Sequence, residues 1–78
     1  MQLAPRKLFK IGEVMMYSGL SRQTLHNYTC MGLITETERT ESNHRLYGED
    51  VFDRILEIEG LKGSNTLLEV KTILDGGV

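Results

Sequence analysis

The sequence predicts a mainly α fold, a winged helix-turn-helix in which two short helices precede a two-stranded wing and two further helices. Three observations favour this fold. Two short helix-like segments flank a glycine-containing turn, two strand-like stretches flank a polar turn, and two periodic apolar segments follow. The chain has 78 residues, of which 40% are hydrophobic and 26% charged, a balance that fits one small soluble globular domain.

The helix-turn-helix is predicted from apolar spacing and capping residues. The apolar positions from Ile11 onward recur at helical spacing and predict a helix over residues 12–17. Gly19 can adopt the left-handed conformation that ends such a helix. Ser21 is a suitable N-cap for a second helix, because its hydroxyl can accept a hydrogen bond from an amide of the first turn. Gly32 would end that second helix.

The second helix has one apolar side and one polar side. Leu25, Tyr28 and Thr29 recur at three- and four-residue steps, so we expect them to face the core. The polar arc carries Arg22, Gln23, His26, Asn27 and Cys30. Long polar side chains on an exposed helix are the groups that contact base edges in the major groove of DNA.

A two-stranded wing is predicted after the second helix. Residues 37–40 and 45–47 resemble short strands, and the turn between them contains Asn43, which tolerates positive φ. A two-stranded hairpin is only marginally stable alone, so the wing must pack against the helices. The residues expected to make this contact are Leu33, Leu46 and Tyr47.

Two further helices complete the predicted fold. Residues 49–61 form the third helix, with an apolar stripe of Val51, Phe52, Ile55, Leu56 and Ile58. Thr66-Leu67-Leu68-Glu69 is a capping-box sequence that begins a last helix ending near Leu74. Three methionines at helical spacing are expected to fill the core: Met15, Met16 and Met31.

These elements give the predicted domain boundaries. Residues 8–75 form the folded domain and begin with a short extended segment at 8–11. Residues 1–7 are predicted to be a flexible arm, since Pro5 cannot continue a helix, and residues 76–78 to be a C-terminal tail.

Charge is distributed unevenly along the chain. The net charge of -2 disfavours a nucleic-acid partner, but residues 1–45 hold six basic and four acidic side chains. Residues 46–78 hold three basic and seven acidic ones. Because local charge governs attraction to phosphate, DNA remains a candidate partner, with weak and salt-dependent non-specific affinity.

Other classes of protein are disfavoured. Cys30 is the single cysteine, so no internal disulfide or zinc knuckle can form. No apolar run reaches the roughly 18 residues that span a membrane, and no secretory signal is present. With no glycine-rich phosphate loop and no catalytic cluster, we expect no enzyme activity, cofactor or metal, and a cytoplasmic, nucleoid-associated location.

Four segments resemble the N-terminal DNA-binding domain of the MerR family. They are Ile11-Gly12-Glu13-Val14, Gly19-Leu20-Ser21-Arg22-Gln23-Thr24-Leu25, Gly32-Leu33-Ile34 and Arg39-Thr40-Glu41-Ser42-Asn43-His44-Arg45-Leu46-Tyr47. The resemblance covers residues 8–74 and implies that the second helix enters the major groove of double-stranded DNA while the wing lies on the backbone. The family usually has Arg-Tyr-Tyr where this chain has His26-Asn27-Tyr28, and Gly in place of Asn43.

The sequence ends at Val78, before the family's long dimerisation helix and effector domain. We therefore expect a stand-alone domain, similar to BldC-like regulators or phage excisionases, with no small-molecule effector. Each unit offers few phosphate contacts, so several protomers are expected to self-associate on one DNA site.

The resemblance also implies which residues contact DNA. The predicted set is Arg22, Gln23, His26, Asn27 and Tyr28 on the second helix, with Arg39, His44 and Arg45 on the wing. Each has an alternative interpretation. The wing arginines could pair with Glu38 or Glu41, and Tyr28 could be a core ring. His26 and Cys30 lie four apart, but two ligands are too few for a structural zinc site.

The predicted function is sequence-specific DNA binding by a small transcriptional regulator. An excisionase-like architectural factor is an alternative on the same interface. A protein-interaction module is an alternative from another class, in which the acidic surface around Glu57 and Glu59 binds a partner.

Overall fold

The computed structural model describes residues 7–76, and its elements follow the predicted order with one additional strand. The elements are β1 Phe9–Lys10, α1 Ile11–Ser18, α2 Arg22–Cys30, β2 Glu38–Arg39, β3 Arg45–Tyr47, α3 Asp50–Leu61 and α4 Leu67–Leu74. The strands form one antiparallel sheet in the order β1-β3-β2. None of the helices in this part of the chain is long and apolar enough to cross a membrane. The predicted winged helix-turn-helix is confirmed.

The turn between α1 and α2 has the predicted caps. Gly19 adopts a left-handed conformation with φ of 76°, and its amide donates to the carbonyl oxygen of Met15 at 2.9 Å. The Ser21 hydroxyl oxygen accepts a hydrogen bond from the amide of Thr24 at 3.1 Å, which makes Ser21 the N-cap of α2. These two caps fix the end of α1 and the start of α2, and therefore the angle of the turn between them.

The sheet has a third strand where the sequence predicted only an extended segment. Phe9 pairs with Tyr47 and Lys10 with Leu46, along the edge of β3 that β2 leaves free. Two residues are too few to show the alternation that marks a strand in sequence. Because β1 runs directly into α1, this pairing ties the wing to the helix-turn-helix and stabilises a hairpin that would be marginal alone.

The hairpin turn depends on Asn43, the single non-glycine residue with positive φ among residues 7–76, at 68°. The Asn43 amide donates to the carbonyl oxygen of Thr40 at 2.8 Å, and the Thr40 amide donates to that of His44 at 2.9 Å. The left-handed conformation explains why glycine suits this position. The first strand of the hairpin is shorter than predicted, with two residues in place of four.

Ten side chains form the core beneath both the helix-turn-helix and the wing. They are Val14, Leu25, Tyr28, Leu33, Ile34, Tyr47, Val51, Ile55, Ile58 and Val70. Leu33 and Tyr47 are buried as predicted, and Leu46 is half-buried. The core therefore joins α2, the wing and α3 into one unit.

Two predicted core residues are exposed instead. Leu56 is 71% exposed and Met16 is 67% exposed, whereas Met15 and Met31 are partly buried against the core. A helix of this size buries only one stripe, and Ile55 and Ile58 already occupy that of α3. The stripe predicted for α3 was therefore too wide.

The C-terminal helix begins with the predicted capping box. The Thr66 amide donates to the Glu69 carboxylate at 2.8 Å, and the Glu69 amide donates to the Thr66 hydroxyl at 3.1 Å. Lys7 is the one residue of the predicted arm within the described part, and residues 77 and 78 of the predicted tail lie outside it.

Candidate nucleic-acid interface

The outer arc of α2 projects polar side chains away from the core. Leu25 and Tyr28 are buried on the inner side of the helix. The exposed residues are Arg22, Gln23, His26, Asn27 and Cys30, the same five that the sequence assigned to this arc. The Gln23 side-chain amide donates to the Asn27 side-chain oxygen at 3.0 Å, and the His26 Nε2 lies 3.4 Å from the Cys30 sulfur.

The N-terminus of α2 lies at one end of this arc. The Ser21 hydroxyl satisfies the Thr24 amide, and the amides of Arg22 and Gln23 have no acceptor within the helix. Free amides and the positive end of the helix dipole together attract an anion such as phosphate. The Arg22 guanidinium adds a full positive charge at the same end.

The wing carries two arginines that face each other across the hairpin. Arg39 and Arg45 are directly paired positions on β2 and β3. The Nε of Arg39 donates to the Oε2 of Glu36 at 3.0 Å, and the Nε of Arg45 lies 3.7 Å from the Oε1 of the same carboxylate. The carboxylate that pairs with both arginines is Glu36, whereas the sequence had offered Glu38 and Glu41 as alternatives.

The electrostatics of this cluster favour a charged carboxylate. The pKa of Glu36 is lowered below its usual range, first by a hydrogen bond from its own backbone amide and then by one from the Arg39 guanidinium. The Nη1 of Arg39 also donates to the side-chain oxygen of Asn43 at 3.0 Å. Hydrogen bonds thus connect Glu36, Arg39 and the wing turn, whereas Arg45 joins this cluster through an ion pair and its buried Nε has no hydrogen-bond partner within residues 7–76.

A cleft of about 810 Å³ lies between α1, the start of α2 and the wing. Its polar lining comes from both parts of the predicted interface and includes Lys10, Glu13, Arg22, His26, His44 and Arg45. His44 is exposed on the turn side of the wing, and Arg45 is half-buried at the base of the cleft. The structure therefore brings residues from two separate sequence segments to one concave surface.

Lys10 is a residue of this surface that the sequence analysis did not select. It is exposed, and its strand pairing with Leu46 fixes it beside the wing. The signal that could have found it is a basic residue, Lys10, at the end of the extended segment immediately before a helix. Without the third strand, nothing in the sequence placed that charge near Arg45.

Tyr28 lies apart from the other seven predicted residues. Its side chain is 2% exposed, and its hydroxyl donates to the Oε2 of Glu59 on α3 at 2.8 Å. Burial, followed by the neighbouring Glu59 carboxylate, raises the pKa of Tyr28 above its usual value. The prediction that Tyr28 lies on the DNA-facing surface is corrected. Tyr28 follows the buried Leu25 by three residues on α2, so its ring points into the core.

The surface offers no metal site within residues 7–76, since no group of three or more ligating side chains occurs there. His26 and Cys30 provide two adjacent candidate ligands only. The charged side chains that line the concave surface are Lys10, Arg22 and Arg45 with one acid, Glu13, so positive charge is in excess there.

The comparison with known proteins agrees with this geometry. Residues 10–47, which comprise the helix-turn-helix and the wing, match the sequence model of the MerR family regulatory proteins. Residues 10–47 form a MerR-family helix-turn-helix and wing. The matched region covers every residue of the exposed arc of α2 and every arginine of the wing.

Curated relatives in this family are longer than the chain. It is 35% identical over 72 residues to the nodulation protein NolA of Bradyrhizobium diazoefficiens, a match covering 91% of this chain and 30% of NolA. It is 36% identical over 67 residues to the mercuric resistance operon regulatory protein of Bacillus cereus, covering 85% of this chain and 51% of that protein. The chain thus spans about a third to a half of the length of these relatives.

Solved structures of MerR-family proteins have the same fold. The N-terminal part of MtaN, the multidrug transporter activator of Bacillus subtilis, superposes with a TM-score of 0.81 and 31% identity, covering 86% of this chain and 64% of that one. A MerR-family transcriptional regulator from Bacillus cereus superposes with a TM-score of 0.78 and 25% identity, covering 87% and 52%. The overall fold of the described residues is therefore the one found in this family.

Proposed function

We propose that residues 7–76 form the sequence-specific DNA-binding domain of a transcription regulator. The observation that carries the proposal is the shared concave surface, a cleft lined by Arg22 and His26 of α2 and by His44 and Arg45 of the wing. The match to a family of regulatory proteins supports the same conclusion. The relatives include an HTH-type transcriptional activator and an operon regulatory protein.

Base recognition is assigned to the outer arc of α2. Arg22 suits bidentate hydrogen bonding to a guanine edge, and the side-chain amides of Gln23 and Asn27 suit adenine. In the free protein those two amides bond to each other at 3.0 Å, so DNA would replace a bond that they already make. His26 occupies the centre of the arc and is assigned a base or phosphate contact.

Phosphate contacts are assigned to the wing and to the start of α2. Arg39, His44 and Arg45 present positive or donor groups beside the cleft, and the free amides at the N-terminus of α2 face its other side. Lys10 adds a charge between them. Phosphate contacts of this kind give affinity that falls steeply with salt concentration.

We further propose that several protomers bind one DNA site without a small-molecule effector. One unit offers few phosphate contacts, so specific affinity in the usual range requires more than one copy on the duplex. Half-site spacing in the selected DNA would give the arrangement of the copies.

The experiment is selection of bound duplexes from a random pool, followed by titration of the selected site. Arg22→Ala should weaken binding by about 1–3 kcal/mol and relax the preference at one base pair. Lys62→Ala is the matched control, because it removes one positive charge at the C-terminal end of α3, outside the concave surface. Absence of any selected sequence at low salt, or equal losses in the two variants, would refute the proposal.

A protein-interaction module is the second candidate function. Tyr17 and Leu56 are 64% and 71% exposed, and they line an apolar groove with Phe9 and Phe52. Glu59 lines this groove, and Glu57 is exposed elsewhere on α3. In this alternative, charge reversal at Glu57 or Glu59 would abolish partner binding and Arg22→Ala would not, the opposite of the pattern expected for DNA.

A further inference from the structure

We propose that Glu36 is a positioning residue of the wing: its carboxylate accepts a hydrogen bond from the Nε of Arg39, forms an ion pair with Arg45, and thereby presents their Nη groups to DNA phosphates. This inference rests on the proposed function and concerns a residue that carries no positive charge and touches no base. It predicts that removal of a negative charge from a DNA-facing surface weakens DNA binding.

Glu36 contacts the two guanidinium groups in different ways. The Nε of Arg39 donates to one carboxylate oxygen of Glu36 at 3.0 Å. The Nε of Arg45 lies 3.7 Å from the other oxygen, an ion-pair distance, and this buried nitrogen has no hydrogen-bond partner within residues 7–76. The Nη1 of Arg39 is bonded to Asn43, and in the same residues its Nη2 and both Nη groups of Arg45 have no hydrogen-bond partner. Three Nη groups therefore remain for phosphate oxygens.

Glu36 also reduces the electrostatic repulsion between the two arginines. Arg39 and Arg45 are directly opposed on β2 and β3, and like charges in this position destabilise a strand pair. A single carboxylate between them offsets this repulsion and lets both arginines stay on one side of the hairpin. The lowered pKa of Glu36 keeps that carboxylate charged at neutral pH.

The opposite interpretation is that Glu36 competes with DNA and holds the arginines away from it. The exposure of the three side chains argues against competition, since Glu36 is 25% exposed while Arg39 and Arg45 are 42% and 35% exposed. A phosphate approaching from solvent meets the guanidinium groups before it meets the carboxylate. Nor does it need to displace Glu36, because the Nη2 of Arg39 and both Nη groups of Arg45 are not hydrogen-bonded to the carboxylate.

Glu36→Gln and Glu38→Gln make a matched pair of variants. Each removes one negative charge from the wing, but Glu38 lies exposed on β2 and is not in the arginine cluster. We expect Glu38→Gln to bind DNA as tightly as the wild-type protein or slightly more tightly. Glu36→Gln should bind about tenfold more weakly, the loss of roughly one charge-assisted hydrogen bond.

The salt dependence distinguishes positioning from a loss of folded protein. Each phosphate contact contributes about −0.9 to the slope of log affinity against log salt concentration. Glu36→Gln should therefore make this slope shallower by roughly one to two. A variant that is merely less stable binds with reduced amplitude and an unchanged slope. Circular dichroism at the titration temperature checks that both variants are folded.

The arginine Nε–H resonances provide a readout that needs no DNA. In the free protein, Glu36→Gln should shift the Nε–H signals of both Arg39 and Arg45, and Glu38→Gln should leave them in place. A wild-type protein that binds no DNA would overturn the proposed function together with this role of Glu36. A wild-type protein that binds DNA, with Glu36→Gln equal to Glu38→Gln in affinity and slope, would overturn the role of Glu36 alone.

Discussion

The hydroxyl groups of Thr29 on α2 and Tyr47 on β3 lie 3.0 Å apart. Thr29 donates its single hydroxyl hydrogen to the carbonyl oxygen of Leu25 at 2.9 Å, so Tyr47 is the donor in the bond between the two side chains. Tyr47 is 1% exposed. This buried bond is a direct link between the helix assigned to bases and the wing assigned to phosphates.

Loss of this hydrogen bond should lower the free energy of unfolding more when Thr29 is replaced than when Tyr47 is replaced. Thr29→Val leaves the buried Tyr47 hydroxyl without an acceptor and should lower the free energy of unfolding by about 1–3 kcal/mol. Tyr47→Phe removes the donor while Thr29 keeps its bond to Leu25, and it should cost about 1 kcal/mol or less. Urea denaturation of both single variants and the double variant measures the difference. Equal costs in the single variants would contradict the predicted asymmetry, and additive costs in the double variant would show that the two hydroxyls are not coupled.

Arg54 on α3 connects three parts of the fold. It donates from Nε to the carbonyl oxygen of Leu33 at 2.7 Å, from Nη1 to that of Leu74 at 3.4 Å and from Nη2 to Asp75 at 2.9 Å. Arg54→Met should lower the free energy of unfolding by about 2 kcal/mol, because the carbonyl groups lose a charged donor. Lys62→Met is the control, since its ion pair with Glu59 is exposed and should be worth less than about 1 kcal/mol. Similar losses in the two variants would contradict this assignment.

Acid should weaken the same cluster in a defined pH range. The pKa of Asp75 is lowered by its hydrogen bonds from Lys71 and then from Arg54. A carboxyl whose pKa is lower in the folded than in the unfolded state stabilises the fold above the unfolded-state value of about 3.9. That contribution is lost as the pH falls through the lower folded-state value. The difference in the free energy of unfolding between the wild-type protein and Asp75→Asn should therefore shrink as the pH falls from about 5 to about 2. A difference that stays constant over this range would contradict the prediction.

The sequence predicted local features better than contacts between distant segments. Gly19, Ser21 and the Thr66 capping box act within one turn of the chain, and each adopts the predicted geometry. β1 could not be predicted, because two residues carry no periodicity and the pairing with β3 spans more than 35 residues. Leu56 was misassigned because the width of a buried stripe depends on what packs against the helix.

The candidate site shows the same division. The exposed arc of α2 followed from helical periodicity, which also indicated that Tyr28 belongs to the opposite side. The partner of the wing arginines was not predictable, because Glu36 precedes the first strand and reaches both arginines only through the pairing of β2 with β3. Lys10 joined the surface through the same long-range pairing.

Tyr28→Phe separates a stability role from a DNA contact. The change removes the hydrogen bond to Glu59 and should lower the free energy of unfolding by about 1 kcal/mol. DNA affinity should be unchanged within experimental error, since the ring points into the core. Thermal denaturation and DNA titration of the same preparation test both parts. A clear loss of affinity in fully folded Tyr28→Phe would restore this residue to the DNA-facing surface.

The central claim is that α2 and the wing bind DNA as one surface, and amide chemical-shift mapping with a selected duplex tests it most directly. We expect the largest shift changes at residues 22–27 and 38–45, with residues 55–60 of α3 and the exposed side of α4 unaffected. Mapping that places the largest changes on α3 and α4, or finds none at low salt, would contradict the account.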